Sequence, residues 1–144
     1  MKKLLLMFVA VVGFATVNAQ EVGIRFGNGG ENNVAVDGIF GLGQFSRIHA
    51  DVNFGSGLGI DALWDCLYRP LSDFQGFNWY AGFGPSLYLH NSYFGLGVSG
   101  EVGLEYHFAD LPIALGIDYR PTFWVLEDTN FYAEGFGFNI RYVF

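Results

Sequence analysis

The stretch YFGLGVSGEVGLEYHF, residues 93–108, decides how this chain folds. Apolar and aromatic residues occupy its even positions, interrupted only by Gly100, while glycine, serine and ionisable residues occupy the odd positions from Gly95 onward. Because successive side chains of a strand point to opposite faces, this period of two predicts one long strand with an apolar face and a small or ionisable face. A strand of about 15 residues is far longer than the usual 5 to 6 or so. An apolar layer about 25 Å thick explains that length, so the stretch predicts a strand that crosses a membrane.

Residues 1–19, MKKLLLMFVAVVGFATVNA, have the form of a secretory signal peptide. Lys2 and Lys3 precede an apolar run over residues 4–15, and Ala19 ends a small-residue segment suited to cleavage. The apolar run is too short for a helix that spans a membrane. The sequence therefore predicts a cleaved signal peptide at 1–19 and one domain at 20–144.

The charge balance of residues 20–144 is unusual for a soluble domain. Both lysines of the chain lie in the signal peptide, so the domain carries five arginines and fourteen acidic residues. Soluble domains cover their surface with mixed charges, among which lysine is prominent, so little ordinary aqueous surface is expected here. The acidic balance argues against nucleic-acid binding. Cys66 is the one cysteine, which excludes an internal disulfide, and we expect it to be a packing residue.

The alternating pattern recurs along the domain and predicts an all-β fold. No apolar run approaches the ~20 residues of a membrane helix, so a membrane-spanning chain must form a closed barrel, in which every backbone donor and acceptor is paired. Turn-forming residues separate eight segments, which predict an eight-stranded antiparallel up-and-down transmembrane β-barrel. The expected strands cover residues 22–27, 34–42, 47–55, 58–69, 77–89, 93–108, 112–126 and 131–144. Bulges are expected at Pro85 and Pro121, because a proline inside a strand removes a ladder hydrogen bond.

The two faces of these strands divide the side chains by polarity. The polar faces carry a set of charges that we expect to form a lumen charge network: Arg25, Asp37, Arg47, Asp51, Asp61, Asp65, Arg69, Glu101, Glu105, Asp118, Arg120 and Arg141. An eight-stranded barrel is only about wide enough for side chains to fill, so the expected network is structural; catalytic or ion-conducting use of the same groups is the alternative. The apolar faces carry expected interfacial anchors, namely Trp64, Tyr68, Trp79, Tyr106, Tyr119 and Tyr142.

The chain ends in NIRYVF, which places Ile140, Tyr142 and Phe144 on one apolar face. In this ending, and in its signal peptide and eight alternating segments, the sequence resembles the small bacterial outer-membrane β-barrels of the OmpX and OmpA-membrane-domain type. The resemblance implies that these three residues form a C-terminal assembly signal, read by the barrel-assembly machinery after periplasmic chaperones have carried the chain. It also implies a monomer in the lipid of the Gram-negative outer membrane. The connections predicted on the extracellular side are short, which argues against the adhesion and receptor roles that such families carry on long loops.

Two further constellations suggest other chemistry. His49 with Asp51, and Glu105 with His107, have an i, i+2 spacing that places two metal ligands on one strand face. The third and sixth strands are not neighbours in an up-and-down barrel, so we expect neither a metal site nor another cofactor. His90 and Ser92 are similar to the His-x-Ser arrangement of outer-membrane lipid A deacylases, but the residues after Ser92 depart from that pattern, and such chemistry needs an orienting acid within reach.

The sequence favours a non-enzymatic integral outer-membrane barrel with a structural role in the envelope and a side-chain-filled, non-conducting lumen. An outer-membrane lipid-modifying enzyme of the lipid A deacylase kind is the first alternative. The second is a secreted ligand-binding barrel of the lipocalin type. That fold requires the apolar face inside the barrel and the charges outside.

Overall fold

The structure of the protein, a computed structural model, describes residues 1–3, 6, 20–29, 32–126 and 129–144. Ten strands lie in this part of the chain: β1 (Glu21–Gly29), β2 (Asn32–Gly41), β3 (Arg47–Gly55), β4 (Leu58–Pro70), β5 (Phe77–His90), β6 (Tyr93–His107), β7 (Ile113–Tyr119), β8 (Thr122–Trp124), β9 (Asn130–Tyr132) and β10 (Phe136–Val143). Most of the predicted signal peptide, residues 4, 5 and 7–19, lies outside the described residues. No described helix is long and apolar enough to cross a membrane.

The strands form a closed antiparallel barrel. Each strand from β1 to β6 pairs with the next along the chain, and β1 pairs on its other side with β10, which closes the sheet. β7 and β8 both pair with β6, so they are two parts of one barrel strand, and β9 and β10 make up the last one. The predictions of an all-β chain and of an eight-stranded antiparallel up-and-down barrel are confirmed.

The break between β7 and β8 lies at Arg120 and Pro121, but β6 keeps its register across it. Tyr119 pairs with Val102 and Thr122 with Ser99, the same separation on both strands. The backbone N–H of Gly100 donates to the Pro121 carbonyl at 3.0 Å, and that of Arg120 donates to Gly135 at 2.7 Å. The expectation of a bulge at Pro121 is therefore wrong. The extra residue lies opposite it, in the segment 133–135, where the last barrel strand opposes two residues with three.

The expected bulge at Pro85 is also wrong. Pro85 pairs with Val98, and β5 stays in register with β6 along its whole length. On the other side, the ladder to β4 is interrupted beside Pro85, between the pairs Asp61–Ser86 and Trp64–Phe83, and resumes in the same register. The missing proline N–H therefore costs some pairing but adds no residue.

A bulge that the sequence pattern did not predict lies in β4. The register with β5 shifts between Trp64 and Leu67, which oppose Phe83 and Ala81, so β4 has one extra residue there. A one-residue shift reverses the face of every later side chain. Tyr68 consequently points into the barrel, and its predicted role as an outward interfacial anchor is wrong.

The barrel is polar inside and apolar outside. Its buried side chains include sixteen polar or charged residues, among them Arg25, Asp51, Glu101, Asp118 and Arg141. The large exposed side chains on the strands are almost all apolar or aromatic: Ile24, Phe26, Val34, Ile60, Trp64, Phe83, Phe94, Val98, Val102, Ile117, Phe123, Phe138, Ile140 and Tyr142. This distribution is the inverse of that of a water-soluble domain, in which charged residues are almost never fully buried.

Candidate functional site

The candidate site is the interior of the barrel, where the structure brings together every predicted member of the charge network except Arg69. The bulge in β4 places Arg69 on the outer side, where its guanidinium lies 4.1 Å from the centroid of the Phe45 ring and donates to the Tyr68 carbonyl at 3.0 Å. The assignment of Arg69 to the lumen is therefore wrong, for the same reason as the assignment of Tyr68 to the exterior. The other predicted residues come from seven strands and the β7–β8 break, and they meet because the interior is narrow.

Near the end of the barrel that holds both chain termini, two arginines share one glutamate. Arg47 Nη1 and Arg141 Nη1 donate to the two oxygens of Glu105 at 2.9 and 2.8 Å. Arg47 Nε also donates to Asp65 at 2.8 Å, and Arg141 Nε donates to Asp37 at 2.8 Å. Except for the bond between Arg47 and Asp65, which lie on the paired strands β3 and β4, these charge-assisted hydrogen bonds join strands that are not paired with each other.

Arg47 is also enclosed by aromatic rings. Its guanidinium carbon lies 4.4 Å from the ring centroids of both Tyr68 and Tyr80. Tyr80 is fully buried, and a Cβ at Gly103 on the neighbouring strand would overlap its ring. The lumen is therefore filled at this level by a cation, two phenol rings and a glycine that leaves room for one of them.

His49 lies at the centre of the lumen, completely buried among carboxylates. Its Nδ1 is 2.9 Å from Glu101 Oε1, and its Nε2 is 3.2 Å from Asp37 Oδ2 and 3.4 Å from Asp51 Oδ1. The third and sixth strands are not neighbours, as predicted, but this does not keep their side chains apart, because His49 on β3 contacts Glu101 on β6 directly across the barrel.

Further from the chain termini than His49, two more arginines pair with buried acidic side chains. Arg120 pairs with Asp51 and donates to Glu101 Oε2 through Nη2 at 2.8 Å. Arg25 donates to both oxygens of Asp118 through Nε, at 3.1 and 3.0 Å. The amide of Asn139 also donates to Asp118 at 3.0 Å. Breaking a pair of this kind leaves an uncompensated buried charge.

The end of the barrel away from the termini is occupied by hydroxyl groups and aromatic rings. Ser99 is hydrogen-bonded to Ser86 at 2.5 Å and to Thr122 at 2.6 Å. Further out, the ring of Tyr88 contacts Trp124 with centroids 6.5 Å apart. The Tyr93 ring lies 6.1 Å from Tyr88 on the same cluster.

Sequence reasoning missed two members of the network. Glu21 is 3.7 Å from Arg47 and 3.8 Å from Arg141, and the predicted first strand began one residue too late to include it. Glu21 lies four residues before Arg25 and therefore on the same face of the strand, which could have identified it from the sequence. His49 was placed on the polar face, but its central position was not foreseen, because contacts across a barrel leave no local pattern.

Among the described residues, His90 and Ser92, which were considered for deacylase-like chemistry, are not hydrogen-bonded to each other. His90 Nδ1 is 2.5 Å from the Ser56 carbonyl oxygen, while Ser92 lies exposed in the turn between β5 and β6. The acids Glu101 and Glu105 of β6 contact other partners inside the barrel, Glu101 with His49 and Arg120 and Glu105 with Arg47 and Arg141.

Comparisons with known proteins add no relative: no family model, no curated protein and no solved structure matches the chain.

Proposed function

We propose that this protein is an integral outer-membrane barrel that has a structural role in a Gram-negative envelope and does not conduct ions. The observation that carries the proposal is the polarity of the closed barrel, which is apolar on the outside and charged on the inside. A spanning barrel needs this arrangement, because its outer face meets hydrocarbon and its edges are all paired. A lipocalin-type barrel needs the opposite arrangement.

An outward groove supports contact with lipid. It has a volume of about 590 Å³ and lies over β1, β6, β7 and β10. Its lining includes Phe26, Val102, Ile117, Phe136 and Phe138. A groove of aliphatic and aromatic side chains on a sheet exterior suits an acyl chain better than water.

The filled interior supports the absence of conduction. Arg47, Tyr68 and Tyr80 pack together near one end, His49 and its carboxylates occupy the centre, and the Tyr88 cluster lies near the other end. An ion that crossed the barrel would have to displace paired charges at several successive positions along its axis. Signal-peptide cleavage after Ala19 and the C-terminal assembly signal, Ile140, Tyr142 and Phe144, belong to the same proposal.

Two experiments test the proposal. In cell fractionation, we expect the protein in the outer membrane, extracted only with detergent, and migrating faster on SDS gels before boiling than after it. Release without detergent would contradict the membrane assignment. In planar bilayers, we expect no steady conductance from purified, folded protein. Conductance steps that scale with added protein and are absent from boiled samples would replace the closed lumen with a channel.

A further inference from the structure

The charges inside the barrel do not balance. Among the described residues of the lumen, four guanidiniums face eight carboxylates: those of Arg25, Arg47, Arg120 and Arg141 against those of Glu21, Asp37, Asp51, Asp61, Asp65, Glu101, Glu105 and Asp118. Most of these groups are at least nine-tenths buried. Excess negative charge in a dry interior is costly. A further positive charge in the described part of the lumen would therefore stabilise the barrel.

The geometry identifies where a cation fits. One ligand atom each from His49, Asp65 and Glu101 lie within 4.8 Å of one another, and all three residues are buried. Asp65 Oδ1 is buried and meets no hydrogen-bond donor among the described residues. Two adjacent carboxylates with an oxygen that lacks a donor require a positive species between them.

Each of these three side chains also contacts a charged residue outside the cluster. One polar atom of each residue has a partner outside the cluster: His49 Nε2 lies 3.2 Å from Asp37, Glu101 Oε2 accepts from Arg120 at 2.8 Å, and Asp65 Oδ2 accepts from Arg47 at 2.8 Å. A carboxylate behind the second nitrogen of an imidazole is the usual support of a metal-binding histidine. The arrangement therefore leaves His49 Nδ1, Glu101 Oε1 and Asp65 Oδ1 available to one ion.

We propose that His49, Asp65 and Glu101 form a binding site for a divalent first-row cation of the zinc type. One imidazole nitrogen and two carboxylate oxygens suit such an ion, which would replace the hydrogen between His49 and Glu101 and neutralise both acids. Ligand atoms about 2.1 Å from a tetrahedral ion are about 3.4 Å apart. The 2.9 Å between His49 Nδ1 and Glu101 Oε1 therefore has to widen by about half an ångström.

Two other groups of potential ligands fit an ion less well. In the group Glu21, Glu105 and His107, the Glu105 oxygen that lies 3.1 Å from His107 also accepts from Arg47 at 2.9 Å. A cation there would face that guanidinium directly. In the group Asp37, His49 and Asp51, the Asp37 oxygen that lies 3.2 Å from His49 Nε2 also accepts from Arg141 at 2.8 Å, so a cation bound to it would again face a guanidinium.

The competing occupant is a proton, which would make His49 an imidazolium between carboxylates. The test is to fold the purified protein in detergent with Zn²⁺ present, remove free metal, and measure the metal content by mass spectrometry. We expect close to one zinc ion per folded chain, and retention during extensive dialysis because the site is buried. Folded wild-type protein that holds no zinc would overturn the proposal in favour of the proton.

Variants locate the ion. We expect Asp65→Asn, which keeps the size of the side chain, to lower zinc affinity at least about tenfold. His107→Asn, the matched change of a lumen histidine outside the cluster, should leave zinc binding as in the wild type. Loss of zinc in His107→Asn with full retention in Asp65→Asn would move the site to the Glu21 group and refute the proposal.

A second measurement needs no variant, in case Asp65→Asn does not fold. Wild-type protein folded with Co²⁺ in place of Zn²⁺ should show the visible absorption of a low-coordinate cobalt site with nitrogen and oxygen ligands. The spectrum of hexaaqua cobalt alone would contradict the site. The metal result does not depend on the membrane assignment. A soluble protein that binds zinc would refute the proposed function but would still support the metal site.

Discussion

The ring of Tyr80 lies directly against the Cα of Gly103 on the neighbouring strand, so close that a Cβ at position 103 would overlap its outer ring atoms. Tyr80 is fully buried and has the Arg47 guanidinium 4.4 Å from its ring centroid. The ring therefore has little room to move away, and position 103 is restricted to glycine by the filled lumen.

We expect Gly103→Ala to lower the free energy of unfolding by about 1 to 3 kcal/mol, because it overpacks the lumen. The measurement is urea unfolding of the folded protein in detergent or lipid. Gly100→Ala is the matched control, because a Cβ there would meet only the Gly82 carbonyl oxygen, at 3.8 Å. Tyr80→Leu combined with Gly103→Ala should recover part of the loss. Equal stability of Gly103→Ala and wild type would show that the ring is not confined.

Arg120→Leu should destabilise the barrel strongly without opening a pore. Arg120 pairs with Asp51, Glu101 and Asp61. Its removal leaves buried carboxylates uncompensated, at a cost of about 3 to 5 kcal/mol if the site is dry. Unfolding in urea measures the stability, and planar-bilayer recording checks for a pore.

The control for that variant is Arg69→Leu, the same change at the arginine that the bulge places outside the lumen. Its contacts are a ring and backbone carbonyls, so we expect a loss below about 1 kcal/mol. A larger loss from Arg69→Leu than from Arg120→Leu would contradict the facing that the structure assigns to β4.

Val98→Arg tests whether the outer face meets lipid. Val98 is 51% exposed and lies near the middle of β6. In lipid, an arginine near the midplane should cost about 2 to 4 kcal/mol. Phe74→Arg is the comparison, because Phe74 is 63% exposed but lies in the turn between β4 and β5. Folding into lipid vesicles measures both; if both variants fold as well as wild type, the outer face does not lie in hydrocarbon.

Phe144→Ser should reduce assembly in cells far more than it reduces the stability of protein folded in detergent. The motivation is the apolar face of Ile140, Tyr142 and Phe144 at the C-terminus. Phe136→Ser is the control, since Phe136 lies on the same barrel strand with nearly the same exposure, 64% against 63%. Outer-membrane levels on immunoblots measure assembly. Equal levels of Phe144→Ser and wild type would remove the assembly-signal proposal.

The local pattern of the sequence determined the barrel strands and most of their facing. Alternation with a period of two is a property of consecutive residues, so the eight segments were predicted with errors of only a few residues at their ends. The same alternation assigned Arg25, Glu101 and Arg141 to the interior, because side chains within an uninterrupted run of strand keep their parity.

The tertiary structure alone decided what local alternation does not encode. An extra residue near Cys66 reverses the faces of Tyr68 and Arg69, and nothing in the sequence there distinguishes a bulge from a regular strand. The contact of His49 with Glu101 depends on the diameter and register of the closed barrel, which are set by all eight strands together. The alternation of polar and apolar residues therefore predicts which side chains enter the lumen, whereas closure of the barrel decides which of them meet.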